Sequence, residues 1–165
     1  MTRNRIVAGI DGTGAGEQVL RWAVGEARRR GATLVVATAW AGHSDRTGPA
    51  SPTRTAALAE LLSSQRSQIE AACAGLPVAA RPVICQEVEP GDPVTVLTRL
   101  ARDADLVVVG TDRDGGLGVA SVAGRLAGRL RHPGALGSRC VLVAVPVTPA
   151  AVPAAPPVPP RIAAA

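Results

Sequence analysis

Apolar residues along this chain gather into short solid blocks, and between the blocks they recur at helical spacing. RIVAGI at 5–10, TLVVATAW at 33–40, LVVV at 106–109 and CVLVAV at 140–145 carry almost no polar alternation. Such runs suit strands covered on both faces, as a parallel sheet flanked by helices requires. A further strand over 79–88, with Gln86 and Glu87 among its polar positions, reads as an edge with one face in water. The intervening stretches predict four helices. Val19, Leu20, Ala23, Val24 and Ala27 mark one over 15–30, ending in three arginines and stopped by Gly31. Leu58, Leu61, Leu62 and Ile69 give the stripe of a helix over 53–74. Asp92 caps a third, with Pro93 in first position and Val96, Leu97, Leu100 and Ala101 on its buried side. Val122, Leu126 and Leu130 place the fourth within 119–131.

Five strands alternating with four helices predict an open α/β fold, a five-stranded parallel sheet with helices on both faces. Right-handed crossovers leave few strand orders, and the Rossmann-like order 3-2-1-4-5 sets strands one and four side by side at the switch point. Two features then share one crevice at the carboxyl edge of the sheet, where ligands bind in such folds. One is Asp11, which leaves the first strand ahead of Gly12 and Thr13 and can either accept a ligand hydrogen bond or belong to a plain turn in which Thr13 caps the helix. The other is the glycine-rich turn after Val109, GTDRDGGLG, whose main-chain N–H groups can approach a phosphate. Asp112 and Asp114 in that turn read as solvated carboxylates.

Composition trims the alternatives. With 165 residues, 47% hydrophobic but only 1% aromatic, the chain predicts one domain with an aliphatic core. Folded sequence is expected over 1–146, and the Pro/Ala-rich 147–165 is expected to be a disordered or extended tail. The net charge of +5 comes entirely from arginines scattered among helices, without lysine or interleaved aromatics, which argues against nucleic acid as partner. Cys73, Cys85 and Cys140 are widely spaced and read as small buried hydrophobes, not a disulfide or metal set. His43 in the Gly/Ser/Pro-rich loop reads as an exposed residue. No apolar run is long enough to span a bilayer and no signal-peptide core opens the chain, so no membrane association and a cytoplasmic location are expected. No Ser-His-Asp, Cys-His or paired-carboxylate pattern stands out, so no catalytic residue is assigned.

The run IVAGIDGTGAGEQVLRWAVGEARRRGATLVVATAW, the later EPGDPVTVLTRLARDADLVVVG and the closing CVLVAV together resemble a universal stress protein domain of the actinobacterial kind, over roughly residues 4–146. The resemblance implies a small cytoplasmic adenine nucleotide alpha hydrolase-like domain, commonly dimeric, some members of which bind ATP. It points to Asp11, with Gly9 and Ile10 before it, and to the main chain at Ala39 for adenine and ribose, and to Val109 and Gly110 at the start of a phosphate loop patterned G-x2-G-x9-G-[S/T]. This chain departs from that pattern. Arg113 stands at the second glycine; the third falls on Ala123, or on Gly124 with one residue inserted, the preferred alignment because it keeps Leu126 and Leu130 on the buried side. Gly124 or Arg125 then occupies the hydroxyl position, and an arginine there either fills the phosphate space or pairs with phosphate. Gly116, with Gly115 and Gly118, keeps the loop glycine-rich. The expectations are ATP, with Mg²⁺, as ligand, at most slow ATP hydrolysis, and a homodimer joined through the last strand, an apolar sheet edge. The alternative is a family member that has lost the nucleotide and serves as a dimeric interaction module.

Overall fold

The computed structural model describes residues 4–40, 52–111, 121–130 and 140–147. Strands β1 (Arg5–Gly9), β2 (Thr33–Trp40), β3 (Ile84–Pro90), β4 (Leu106–Gly110) and β5 (Val141–Val145) alternate with helices α1 (Gly14–Arg30), α2 (Pro52–Ala72), α3 (Pro93–Leu100) and α4 (Val122–Leu130). All strands pair in parallel in the order β3-β2-β1-β4-β5, as the hydrophobic pattern predicts. β1 is therefore flanked by β2 and β4, with Gly9 opposite Ala37 on one side and Ala8 opposite Val108 on the other.

Successive side chains of a strand point to opposite faces, so the central strands feed two cores. Ile6, Ala8, Leu34, Val36, Leu106 and Val108 pack under α1 and α2; Val7, Val35, Ala37, Val107 and Val109 pack under α3 and α4. Burial of each valine, leucine or isoleucine among them is worth about 1.5–3 kcal/mol relative to exposure. Valine and isoleucine serve well because both faces of the sheet are dry and β-branched chains fit the pleat.

Local signals explain where elements begin and stop. Asp92 accepts a hydrogen bond from the Thr95 N–H at 3.0 Å and caps α3, whose first residue is Pro93. Gly31 closes α1 in the left-handed conformation, φ 59°, with its N–H directed at the Arg28 carbonyl and the Ala32 N–H at that of Ala27. Arg29 and Arg30 in the last turn pair with Glu26, so the arginine triplet is partly engaged within its own helix.

Several sequence readings change. The strand read over 79–88 begins only at Ile84, because Val78–Ala80 form a 3-10 turn and Pro82 lacks the donor a strand needs. The stripe of α2 centres on a polar residue: Leu58 is exposed, whereas Gln65 is buried and donates to the Val36 carbonyl (3.0 Å), Thr38 Oγ1 (3.1 Å) and the Glu87 carbonyl (3.3 Å). A buried amide must find such partners, and here it ties α2 to β2 and β3. Of the cysteines only Cys73 is buried; Cys140 is half-buried and Cys85, on the edge strand, is exposed. His43, the turn residues 112–118 and the tail beyond Val147 lie outside the described residues.

Candidate functional site

A cavity of about 210 Å³ opens at the carboxyl ends of β1 and β4. Its walls include Gly9, Ile10, Asp11, Ala39, Val109 and Gly110, the six described members of the first-strand, second-strand and fourth-strand positions picked from sequence. The parallel neighbours β1 and β4 thus bring Asp11 and Gly110 to one crevice, as expected. Apart from Thr111 the remaining walls are apolar: Ala15, Val19, Leu97, Val122 and Val147 are among the residues that face the same space. Among the described lining residues Asp11 is the only ionisable one.

The turn after β1 is built around that aspartate. Asp11 Oδ1 accepts from the Thr13 N–H at 3.0 Å and from the Thr13 hydroxyl at 2.7 Å, and Gly12 between them takes φ +81°, a conformation glycine adopts without strain. Thr13 occupies the N-cap position of α1 but spends its hydroxyl on Asp11, so it makes no side-chain cap. A carboxylate offers about four acceptor positions, so Asp11, exposed at the mouth, retains acceptor capacity for a ligand hydroxyl or amine.

The β2 side contributes main chain. Thr33 N–H donates to the Asn4 carbonyl and Ile10 N–H to that of Ala37, whereas Leu34 N–H turns to Val83 on the β3 side. N–H and C=O groups alternate between neighbours along a strand, so Ala39 directs its main-chain groups to the β1 side, just past the last β1–β2 pair and into the cavity wall. Donor and acceptor side by side on one strand edge can read a planar heteroaromatic base.

Both strand-end glycines have a packing reason. A Cβ on Gly9 would come within 2.9 Å of Leu97 Cδ1, and one on Gly110 within 2.9 Å of Val147 Cγ2. Leu97 and Val147 are themselves cavity walls, so the glycines let them close over the strand ends. Val147, counted with the tail in the sequence reading, packs against the core beneath α1 and α2 and receives support from Thr111, whose Oγ1 accepts its N–H at 3.4 Å.

Sequence reasoning missed Ser121. Its hydroxyl accepts from the Gly124 N–H at 2.9 Å and its carbonyl from the Arg125 N–H at 2.9 Å, which starts α4 at Val122 and not at 119. The Ser followed three residues later by the helix interior was a readable capping signal. Gly124 therefore spends its N–H on the cap and, like Arg125, is not among the cavity walls. Arg125 reaches sideways: its Nη2 lies 3.2 Å from Asp92 Oδ1 at the start of α3. Hydrogen bonds from Thr95 hold the Asp92 carboxyl below the usual carboxylate range, and the Arg125 charge adds to this. Arg113 and Gly116 fall outside the described residues. Also missed were Thr111 and Leu97, of which Thr111, directly after the strand-end glycine, carried the clearer signal.

The described residues hold no group of three or more His, Cys, Asp or Glu able to bind a metal ion, and no helix long and apolar enough to cross a membrane. The model of the universal stress protein family matches residues 2–134. No curated protein matches the chain. Among solved structures, a universal stress protein in complex with cAMP is 22% identical with a TM-score of 0.58, over 87% of this chain and 98% of the other. A universal stress protein from Archaeoglobus fulgidus in complex with dAMP is 22% identical with a TM-score of 0.56, over 86% and 98%. A family member from Burkholderia pseudomallei is 20% identical with a TM-score of 0.58, over 88% and 98%. At these identities the likeness speaks for the shared fold.

Proposed function

The chain belongs to the universal stress protein family, and we propose that it acts in the cytoplasm as a stress-response regulator that binds an adenine nucleotide, ATP in the first instance, between β1 and β4. The observation that carries this reading is the cavity itself: largely apolar walls for a base, the Ala39 main chain along one side, and Asp11 at the mouth. That two structures of the same fold contain cAMP and dAMP supports the class of ligand. At about 210 Å³ the cavity is smaller than the roughly 300–1,000 Å³ of sites that enclose whole drug-sized ligands. It suits the base and sugar, with phosphates lying outward past Gly110 toward Arg125; Arg113, Gly116 and Gly124 remain part of the proposed phosphate loop on the sequence resemblance alone, and Mg²⁺ would accompany a triphosphate there. The described lining residues offer recognition and no arranged nucleophile or base, and the proposed activity is binding with at most slow hydrolysis.

The same proposal includes a homodimer joined through β5. That strand is the sheet edge opposite β3, and it exposes Val141 while leaving Leu142, Val143 and Ala144 half-buried, an apolar edge that pairing would cover. The reading is tested by thermal unfolding with ATP and Mg²⁺. A native-state ligand at a hundredfold its Kd stabilises by about 2.7 kcal/mol. For a domain of this size the midpoint should rise by roughly 5–10 °C. An unmoved midpoint at millimolar nucleotide would instead favour the interaction module without a nucleotide.

A further inference from the structure

The cavity has no cation of its own among the described residues, and its single charge, Asp11, repels a phosphate. A cation stands at the rim instead. Pro93 and Val122, the first residues of α3 and α4, are both cavity walls. Asp92 immediately precedes the one, and Arg125 lies one helical turn beyond the other, on the same side of α4. Their ion pair, 3.2 Å from Nη2 to Oδ1, therefore crosses the rim between the two helix starts.

We propose that Asp92 is a specificity-determining residue of this site: it competes with a ligand phosphate for Arg125 and so sets how strongly a nucleotide is preferred over its nucleoside. The proposal rests on the cavity being a nucleotide site. Three observations shape it. First, the pair is open to water, with side chains 45% and 41% exposed, and exposed pairs are weak enough to exchange. Second, a phosphate offers the guanidinium a doubly charged, bidentate partner, a stronger one than a lone carboxylate oxygen. Third, the two oxygens of Asp92 have separate tasks: Oδ1 holds Arg125, while Oδ2 accepts from the Thr95 N–H at 3.0 Å and its hydroxyl at 3.2 Å. Arg125 can turn to a phosphate without uncapping α3. The surroundings of Arg125 thus make it a phosphate reader under restraint, with Asp92 as the restraint.

Asn caps helices about as well as Asp, so Asp92→Asn removes the competing charge and keeps the cap. Calorimetric titration of the full chain with adenosine and with AMP reads the effect as a ratio of affinities. In Asp92→Asn the preference for AMP over adenosine should rise about two- to fivefold, the range an exposed pair is worth, with adenosine affinity unchanged. In Arg125→Gln the preference should fall about tenfold or more, and adding Asp92→Asn to that variant should restore nothing. An unchanged ratio in Asp92→Asn, or a gain that persists without Arg125, overturns the competition while leaving the nucleotide site in place. If wild-type protein binds neither adenosine nor AMP, the nucleotide reading itself falls.

Discussion

The two walls of the crevice are built in different ways. The wall after β1 is local: Asp11, Gly12 and Thr13 are consecutive, and one carboxylate oxygen closes the turn through two hydrogen bonds. The wall opposite is assembled from α3, β4, the start of α4 and the chain leaving β5, segments far apart in sequence: Leu97, Val109 and Val122 meet in the core under α3 and α4, and Val147 packs against the other core, close over Gly110. A locally closed turn keeps its shape when the core around it loosens, whereas an assembled wall depends on packing. Substitutions should therefore separate binding from stability on the first wall and couple them on the second.

The largest expected effect is at Leu97, buried between Gly9 and the second core. Leu97→Ala should cost about 3 kcal/mol in denaturant unfolding, since a buried leucine leaves a cavity that its surroundings fill only partly. Nucleotide affinity should fall with it. At the start of α4, Ser121→Ala should cost about 1 kcal/mol by removing the cap, and weaken nucleotide binding through a frayed Val122. Asp11→Ala should behave in the opposite sense: unfolding within about 1 kcal/mol of wild type, the order of an exposed turn hydrogen bond, but no nucleotide-induced rise in the melting midpoint. If Asp11→Ala and Leu97→Ala lose stability alike, the contrast between the walls is wrong.

Smaller effects sharpen the picture. Asp92 titrates below the ordinary carboxylate value because Thr95 and Arg125 favour its charged form. The stability it lends α3 is present above the unfolded value of about 3.9 and is lost as pH falls through the lower folded value. Asp92→Asn should flatten that part of an acid unfolding curve, with stability slightly below wild type at neutral pH and the difference vanishing in acid. In thiol labelling of the native protein, exposed Cys85 should react first. Burial, with the Asp105 charge, pushes the Cys140 thiol up to about 11, and burial also raises Cys73, so both should lag.

The same contrast governs what could be read from sequence. Strand blocks, the Asp92-Pro93 helix start and the Asp11 turn depend on neighbours a few residues apart, and each lies where the pattern put it. The strand order followed because two-faced hydrophobic blocks admit few parallel arrangements. What stayed hidden depends on distant partners: Gln65 is buried because Val36, Thr38 and Glu87 offer it hydrogen bonds, a fact no stripe on α2 announces. Val147 joins the cavity because Gly110 lacks a side chain, and Arg125 turns to Asp92 across 33 residues of chain. Ser121, by contrast, is a local capping signal within the stretch read as helix from 119, and it sets the start of α4 at Val122.

Amide chemical shifts followed during titration with ATP would locate the ligand residue by residue. Binding between β1 and β4 predicts movement at Ile10, Asp11, Gly16, Ala39, Thr111 and Val122, with the β3 edge and the carboxyl end of α1 still. Changes confined to that far side of the sheet, or a spectrum unmoved at millimolar nucleotide, would contradict it.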